Sequence, residues 1–406
     1  MASHAPGSVM LASLAKRLLL ETDWRCLWKF AAGFGLRGGL ALRRARRRAK
    51  RGEFFPPFWF LSITSRCNLR CQGCWAVTDG PPRELSLDEV DRILSQGKRQ
   101  GVYFYGLLGG EPLLHHGLMD VLARHPSCYF QLFTNGTLLT DAVARELRRL
   151  GNVTPLVSLE GLEETSDVRR GGRDVYARTL AGLDACRRQR LITGAATSLC
   201  KSNLDELLTQ RHLDALVARG VHYAWFYLYR PAGPDPHPEL ALSADEVQRV
   251  RRFLVEARTR SPLLIVDAYW DDVGRALCPA AAGVSLHIGP GGDIEPCPPI
   301  QFAAESATNG QALFDAVNGS RFLRQFMQMA SWTTPGCILL ERPDVLRKFV
   351  IAEGGRDTTG RGTGLAELAA MTPRPSQYAP GREVPEKHWF YRYAKRHWFF
   401  GLGSYA

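Results

Sequence analysis

The chain has 406 residues, of which 45% are hydrophobic and 23% are charged, a composition typical of a globular protein. This length allows a large core with an appended module, or two domains. No uninterrupted apolar run of about 18 residues is present, which argues against a membrane-spanning helix. Lysines and arginines interrupt the apolar stretches of the N-terminus, which argues against a secretory signal.

The net charge of +12 is concentrated at the two ends of the chain. Residues 1–53 contribute +9 and residues 382–406 contribute +3, so the rest of the chain is neutral. Both ends also contain tryptophans and other apolar side chains, a combination typical of segments that bind a membrane interface. A second interpretation is that these segments form helices that pack on the body and expose their charges to solvent. A third is nucleic-acid binding, which is the least favoured because the neutral body offers no basic groove.

The first predicted strand lies in FFPPFWFLSIT, at 54–64, and leads into three closely spaced cysteines, Cys67, Cys71 and Cys74. With ten cysteines and no export signal, metal ligation in a reducing compartment is favoured over disulfides. Three thiolates from one loop can bind three irons of a [4Fe–4S] cluster and leave the fourth iron open to an outside ligand. The alternative is a zinc knuckle in a zinc-stabilised binding module.

Glycine or polar residues follow each of the next three predicted strands. The second strand ends in a Gly-Gly-Glu-Pro turn, where glycines allow the backbone to approach a ligand and the acid can accept a hydrogen bond from an ammonium group. The third strand ends in an Asn-Gly turn, and the fourth ends in a serine with an arginine pair downstream that suits a carboxylate. The candidate residues are Gly109, Gly110, Glu111, Asn135, Ser158 and either Arg169 or Arg170.

Strands and helices alternate from about residue 57 to residue 230. Six such strand–helix units predict an α/β fold with a parallel, right-handed, partly closed barrel. The predicted organisation is a basic amphipathic segment at 1–53, the barrel at 54–260, a cysteine-containing α+β extension at 261–350, and a loop with an aromatic and basic tail at 351–406.

The order of these motifs resembles the radical S-adenosylmethionine (SAM) enzymes, whose defining pattern is C-x3-C-x2-C after the first barrel strand. The resemblance implies a partial (β/α)6 TIM-type barrel, a [4Fe–4S] cluster held by the three cysteines, and SAM bound to the open iron. It implies that Gly109, Gly110 and Glu111 hold the SAM amino group. It further implies that Ser158 and Arg169 contact the SAM carboxylate and ribose, and that Trp75 and Asn135 line the adenosine.

One position departs from the common family pattern. Most members have an aromatic residue before the third cysteine, whereas this chain has Gly73 there and Trp75 after it. Such a glycine resembles the adenosyl-hopene-transferase-like branch, whose members modify lipids. Trp75 is therefore either a substitute for the missing aromatic or a core residue.

Three further cysteines, Cys278, Cys297 and Cys337, lie in the predicted extension. They resemble the beginning of a SPASM or twitch module, but the dense cysteine series that completes a SPASM module is missing. The resemblance allows one auxiliary Fe–S cluster with these three thiols as ligands. The alternative is that they are buried structural thiols.

The predicted function is reductive cleavage of SAM to a 5′-deoxyadenosyl radical that modifies a lipid, an isoprenoid or another substrate with an unactivated C–H bond. The alternative within the family is a SPASM-type enzyme that modifies a peptide or protein. The expected partners are a small-molecule or lipid substrate, an external reductant such as flavodoxin or ferredoxin, and a membrane surface, with no nucleic acid. The expected location is cytoplasmic, at the inner face of the membrane if the ends bind lipid.

Overall fold

The computed structural model describes residues 6–78, 80–376, 378 and 380–398. The first five residues of the predicted N-terminal segment, and two positions and the last eight residues of the predicted tail, lie outside these ranges.

The parallel strands of the body are β1 (Phe58–Thr64), β2 (Phe104–Gly109), β3 (Tyr129–Thr134), β4 (Val153–Ser158), β5 (Gly194–Leu199), β6 (Tyr223–Leu228), β7 (Leu264–Val266) and β8 (Ser285–Ile288). The short strands are β9 (Ile294–Glu295), β10 (Phe302–Ala303) and β11 (Arg356–Asp357).

The helices up to β6 are α1 (Pro6–Glu21), α2 (Trp24–Phe30), α3 (Gly38–Ala49), α4 (Leu87–Arg99), α5 (Leu118–Arg124), α6 (Asp141–Leu150), α7 (Glu163–Arg170), α8 (Val175–Arg188), α9 (Leu204–Leu207) and α10 (Gln210–Ala218). The later helices are α11 (Ala244–Arg260), α12 (Leu313–Asn318), α13 (Arg321–Thr333), α14 (Ile338–Glu341), α15 (Pro343–Ala352), α16 (Gly364–Ala370) and α17 (Trp389–His397). A π-helical turn, Ala31–Arg37, joins α2 to α3.

One nine-stranded sheet has the order β7-β6-β5-β4-β3-β2-β1-β8-β9. The first seven strands run parallel in chain order, with β1 beside β2, and helices connect successive strands, which is the architecture of a partial barrel. This confirms the predicted fold class. The strands on both sides of the predicted boundary at 260 belong to this sheet, because β7 extends one edge and β8 pairs in parallel with β1 at the other.

Local sequence signals explain where the helices begin. Ser86 and Glu89 form a capping box at the start of α4, and Ser243 and Glu246 form another at α11. In each box the serine accepts from the backbone of the third helical residue, whose carboxylate accepts from the serine N–H. The helices therefore start where the backbone donors of their first turns have partners.

The N-terminal segment covers the barrel at the end where its strands begin. Phe34 packs edge-on against Phe104 at the start of β2, with ring centroids 4.9 Å apart. Arg37 donates to the carbonyl of Ser127, just before β3, and Arg48 donates to that of Gln100, just before β2. Of the three interpretations of this segment, packing on the body is thus observed for its inner side.

A buried ion cluster fixes the C-terminal helix to the same body. Arg251 and Arg258 of α11 donate to Glu386 Oε1 at 2.6 and 2.5 Å. Lys395 of α17 donates to Asp267 Oδ1 at 3.0 Å, and Arg258 also contacts Asp267. Because removing one member would leave an uncompensated buried charge, the cluster holds the segment from 386 to 395 tightly in place.

Within the described part of the chain, none of the helices combines the length and the apolar character that crossing a membrane would require.

Candidate active site

The three-cysteine loop follows β1 at the end of the barrel opposite the N-terminal helices. Cys67 is exposed, and Cys71 and Cys74 are partly buried; all three are free thiols. Burial together with the neighbouring Cys71 raises the pKa of Cys74 to about 12. At neutral pH Cys74 is therefore a thiol, and binding iron through it must release a proton.

The Gly-Gly-Glu turn after β2 lies against the start of the cysteine loop. Gly110 N–H donates to the Thr64 carbonyl at 2.8 Å, and Glu111 N–H donates to the Arg66 carbonyl at 2.6 Å. A Cβ on Gly109 would lie 2.1 Å from the Thr64 carbonyl oxygen, and one on Gly110 would lie 2.1 Å from that of Arg66. Glycine is thus required at both positions because two backbones touch there.

The Glu111 carboxylate faces the protein interior. It is fully buried and accepts hydrogen bonds from Thr134 Oγ1 and Asn135 N–H at 2.8 Å and from Leu113 N–H at 3.1 Å. Burial raises its pKa, although these hydrogen bonds act in the opposite direction. Glu111 therefore joins the turn after β2 to the tip of β3, while Gly109 and Gly110 line the cavity described next.

A cavity of about 870 Å³ opens beside the three cysteines. It brings together almost all of the residues predicted from the sequence. Its lining includes Cys67, Cys71, Cys74, Trp75, Gly109, Gly110, Asn135, Ser158, Arg169, Arg170, Cys278, Cys297 and Cys337. Trp75 packs edge-on over His287 at 5.6 Å, and His287 hydrogen-bonds to Ser62 Oγ at 2.7 Å in the buried seam between β1 and β8.

The arginine pair at the end of α7 lies at the cysteine loop. Arg170 is partly buried, with Nη1 3.6 Å from Cys71 Sγ and Nη2 donating to Glu160 Oε1 at 3.0 Å. Although burial lowers the pKa of Arg170, Cys71 and Glu160 raise it above its usual value. Arg169 lies over the ring of Tyr229 at 4.7 Å. Both arginines line the cavity, and the Nε atom of each has no hydrogen-bond partner among the described residues.

Tyr229, just after β6, occupies the space where a side chain at position 73 would extend. Gly73 has a φ of +64°, and a Cβ there would lie 1.8 Å from the Tyr229 hydroxyl oxygen. That hydroxyl donates to the Pro236 carbonyl at 2.7 Å. An aromatic residue therefore lies beside the third cysteine, but it comes from β6 and not from the cysteine loop. Trp75 packs over the β1–β8 seam instead.

Comparison with known proteins gives the family. The family model described as the radical SAM superfamily matches residues 61–208, which contain the cysteine loop, the Gly-Gly-Glu turn and the first half of the barrel. Residues 61–208 are thus similar to the radical SAM superfamily. The predicted cofactors of the motif, a [4Fe–4S] cluster and SAM, are those of the family and are thereby confirmed.

Three curated relatives show what kind of radical SAM proteins the chain is similar to. A GTP 3′,8-cyclase of Parasynechococcus marenigrum is 33% identical over 230 residues, which are 51% of this chain and 65% of the cyclase. An AdoMet-dependent heme synthase of Methanosarcina barkeri is 29% identical, covering 50% of this chain and 58% of the synthase. A PqqA peptide cyclase of Streptomyces rochei is 28% identical, covering 60% and 69%. The chain thus spans less than two thirds of the length of the first two.

Solved structures share the fold at low sequence identity. Streptococcus suis SuiB bound to SAM has a TM-score of 0.61 at 16% identity, covering 71% of each chain. Native anSMEcpe with bound AdoMet has a TM-score of 0.51 at 14% identity, covering 67% of this chain and 83% of that one.

The side chains at the cysteine loop fit the cluster of a radical SAM protein. Three free thiols lie on one loop, and a partly buried guanidinium contacts one of them, which suits a group with anionic thiolate ligands. The unpaired Nε atoms of Arg169 and Arg170 are two further buried donors. No group of three His, Cys, Asp or Glu side chains in the described ranges could hold a single metal ion, but cluster ligands bind different irons and need not meet at one point.

The second set of cysteines comes together from three separate segments of the chain, all outside the residues that the family model matches. Cys278, Cys297 and Cys337 line the same cavity, and burial raises the pKa of Cys278 to about 11, with a contribution from Cys337. Arg230 lies beside Cys337; although burial lowers the pKa of this arginine, the Cys337 thiol raises it. Each set of three thiols therefore has a partly buried arginine next to it.

Sequence reasoning did not identify Tyr229 and Arg230. Their position was a usable signal, because both follow directly after β6, and the C-terminal ends of barrel strands carry the chemistry in such folds.

Proposed function

We propose that this protein is a radical SAM enzyme that cleaves SAM reductively and uses the product radical on an apolar substrate. The observation that carries the proposal is the 870 Å³ cavity onto which the three thiols of the cysteine loop, the Gly-Gly turn, the buried Arg169 and the partly buried Arg170 converge. When bound, the cluster would supply one electron to SAM, which breaks its C–S bond to give methionine and a 5′-deoxyadenosyl radical.

We propose the following roles for the chain's own residues. Cys67, Cys71 and Cys74 hold the cluster, and Arg170 balances the charge of their thiolates. Gly109 and Gly110 hold the SAM amino group, while Ser158, Arg169, Asn135 and Trp75 contact the rest of SAM. Glu111 acts by positioning, because its carboxylate holds the two loops that line the site.

The apolar lining of the barrel interior supports a lipid or isoprenoid substrate. Below the cysteine loop the cavity is bounded by aromatic side chains of the inner face of the sheet, which are Phe58, Phe60, Phe104, Phe133, Trp225 and Tyr227. Phe58 and Phe104 lie at the first residues of their strands, so the cavity runs the length of the barrel. A strand of six or seven residues spans about 20 Å, which suits an elongated apolar molecule.

The second candidate is a peptide substrate. The second set of thiols on the same cavity supports it, because the extension resembles a partial SPASM module. The similarity to a PqqA peptide cyclase points in the same direction. In this case we propose that Cys278, Cys297 and Cys337 hold an auxiliary cluster.

The test is anaerobic reconstitution with iron and sulfide, followed by SAM and dithionite, with 5′-deoxyadenosine as the readout. We expect product from the wild type and none from Cys71→Ala, because two thiolates no longer hold the cluster with one open iron. A colourless protein with stoichiometric zinc would instead support the zinc-stabilised module. Addition of isoprenoid lipids or of peptides then separates the two substrate classes, since the true substrate class should increase 5′-deoxyadenosine formation.

We also propose that an external one-electron reductant, such as flavodoxin or ferredoxin, serves the site, and that the protein works at a membrane surface where an apolar substrate would be available.

A further inference from the structure

Large apolar side chains are exposed on the helices that cover the N-terminal end of the barrel. We call this surface the floor face; it consists of Leu19, Leu20, Trp24, Trp28, Leu36, Leu40, Trp389 and Tyr393. These are eight of the thirteen exposed large hydrophobic side chains in the described ranges. Trp24 is 74% exposed and Trp28 is 61% exposed, so the indole rings project into solvent.

The floor face is not a loosely attached helix, because the opposite side of the same segment is packed. The residues from 24 to 49 form one continuous helix with a π-helical turn at its middle. On its inner side a Cβ at Gly33 would lie 2.9 Å from Tyr129 Cβ, and Phe34 packs against Phe104. The exposed residues Trp24, Trp28, Leu36 and Leu40 recur at multiples of four, which places them along the outer side.

The C-terminal helix belongs to the same layer. Trp398 stacks on Phe34 with ring centroids 6.0 Å apart, and Arg46 donates to the Arg396 carbonyl at 3.3 Å. The buried ion cluster through Lys395 fixes α17 to the body. The two ends of the described chain therefore present their apolar side chains on one rigid surface.

The charge of this surface selects the partner. Residues 24–52 contain ten Lys and Arg and no Asp or Glu. Arg25, Arg43 and Arg47 are exposed, whereas each of the flanking acids is paired: Glu21 with Arg17, Asp23 with Arg148 and Glu53 with Arg48. Exposed Trp and Leu side chains next to Arg are typical of a helix that lies in the interface of an anionic membrane. A second copy of the chain would instead bring like charges together.

We propose that the floor face docks on an anionic phospholipid bilayer, with the helix from 24 to 49 in the plane of the interface. The helix is about 39 Å long, which gives a broad contact. The cysteine loop lies at the opposite ends of the strands, about 20 Å from the floor, and faces water. Docking therefore leaves the mouth of the active site free.

The test is flotation of the reconstituted full chain with vesicles of 30 mol% phosphatidylglycerol in phosphatidylcholine, about one third anionic lipid, at low and at high salt. We expect co-flotation at low salt that weakens at high salt or with pure phosphatidylcholine. Trp24→Gln with Trp28→Gln should reduce vesicle partitioning roughly tenfold or more. Trp332→Gln is the matched control, since Trp332 is 80% exposed on α13, outside the floor face, and should float like the wild type.

The result that overturns docking is a wild type that stays at the bottom of the gradient at low salt, or a Trp332→Gln variant that loses as much binding as the floor variant. A dimer by light scattering that dissociates in the floor variant, without flotation, would assign the face to a second copy. Unfolding midpoints equal to wild type show that the variants are folded. Cleavage of SAM is measured in solution without vesicles, so failure of docking and failure of the proposed chemistry give different results.

Discussion

The contact between Gly73 and Tyr229 predicts a strong coupling between these two positions. Gly73→Ala places a side chain at a φ of +64°, which costs about 1–2 kcal/mol in the left-handed region. The new Cβ would also lie 1.8 Å from the Tyr229 hydroxyl, and such overpacking costs about 1–3 kcal/mol. We therefore expect a loss of roughly 2–5 kcal/mol in the free energy of unfolding. In a Tyr229→Ala background only the backbone cost of about 1–2 kcal/mol should remain.

Urea unfolding of the apo protein, followed by tryptophan fluorescence, measures this double-mutant cycle. Tyr229→Ala alone should cost about 3–5 kcal/mol, because it also removes the contact with Arg169. Gly52→Ala is the matched control: it has a φ of +74° with no atom within 4 Å of the added Cβ, so it should cost the same in both backgrounds. If Gly73→Ala costs as much without Tyr229 as with it, the steric explanation is refuted.

Three further predictions concern buried charged groups. Arg170→Gln should lower the reduction potential of the reconstituted cluster, because a cation next to Cys71 is lost. An EPR redox titration measures the potential. Arg173 is an exposed neighbour, so Arg173→Gln should leave the potential unchanged. Glu111→Gln should lower the free energy of unfolding by about 1–3 kcal/mol, because an amide cannot accept from all three donors; equal urea midpoints would contradict this. Burial lowers the pKa of His212 to about 4 in the folded protein. As the pH falls, this histidine is therefore protonated in the unfolded state before it is protonated in the folded state. The free energy of unfolding should therefore decline below pH ~6.5, and the part that depends on neutral His212 should be about 2 kcal/mol smaller at pH 5. Between pH 7 and pH 5, apo His212→Leu should lose less stability than the apo wild type by that amount.

The parts of the site that lie in short motifs could be predicted from the sequence. The cysteine loop and the Gly-Gly turn are local patterns that follow strand ends, and the cavity contains them together. The sequence also groups three cysteines that come from separate segments, and these line the same cavity: Cys278, Cys297 and Cys337.

The parts that depend on contacts between distant segments could not be predicted. Gly73 was recognised as a departure from the family pattern, but nothing near it in the sequence indicates that Tyr229 fills the space. The inward direction of the Glu111 carboxylate depends on Thr134 and Asn135, on another strand. Likewise, the pairing of Phe58 with Ser285 joins β8 to the barrel sheet, and no local signal specifies that register.

The ion cluster that fixes α17 sets the order in which this protein can mature. Glu386 and Arg258 are 128 residues apart, so their contact closes a long loop that contains all three cysteines of the second set. Contacts of such sequence separation form late in folding. Until they form, Arg251 and Arg258 of α11 have Asp267 as their single acidic partner among the described residues. Insertion of the auxiliary cluster proposed for the second set of thiols would therefore have to be timed against closure of this loop, whereas the cysteine loop after β1 is assembled from neighbouring residues.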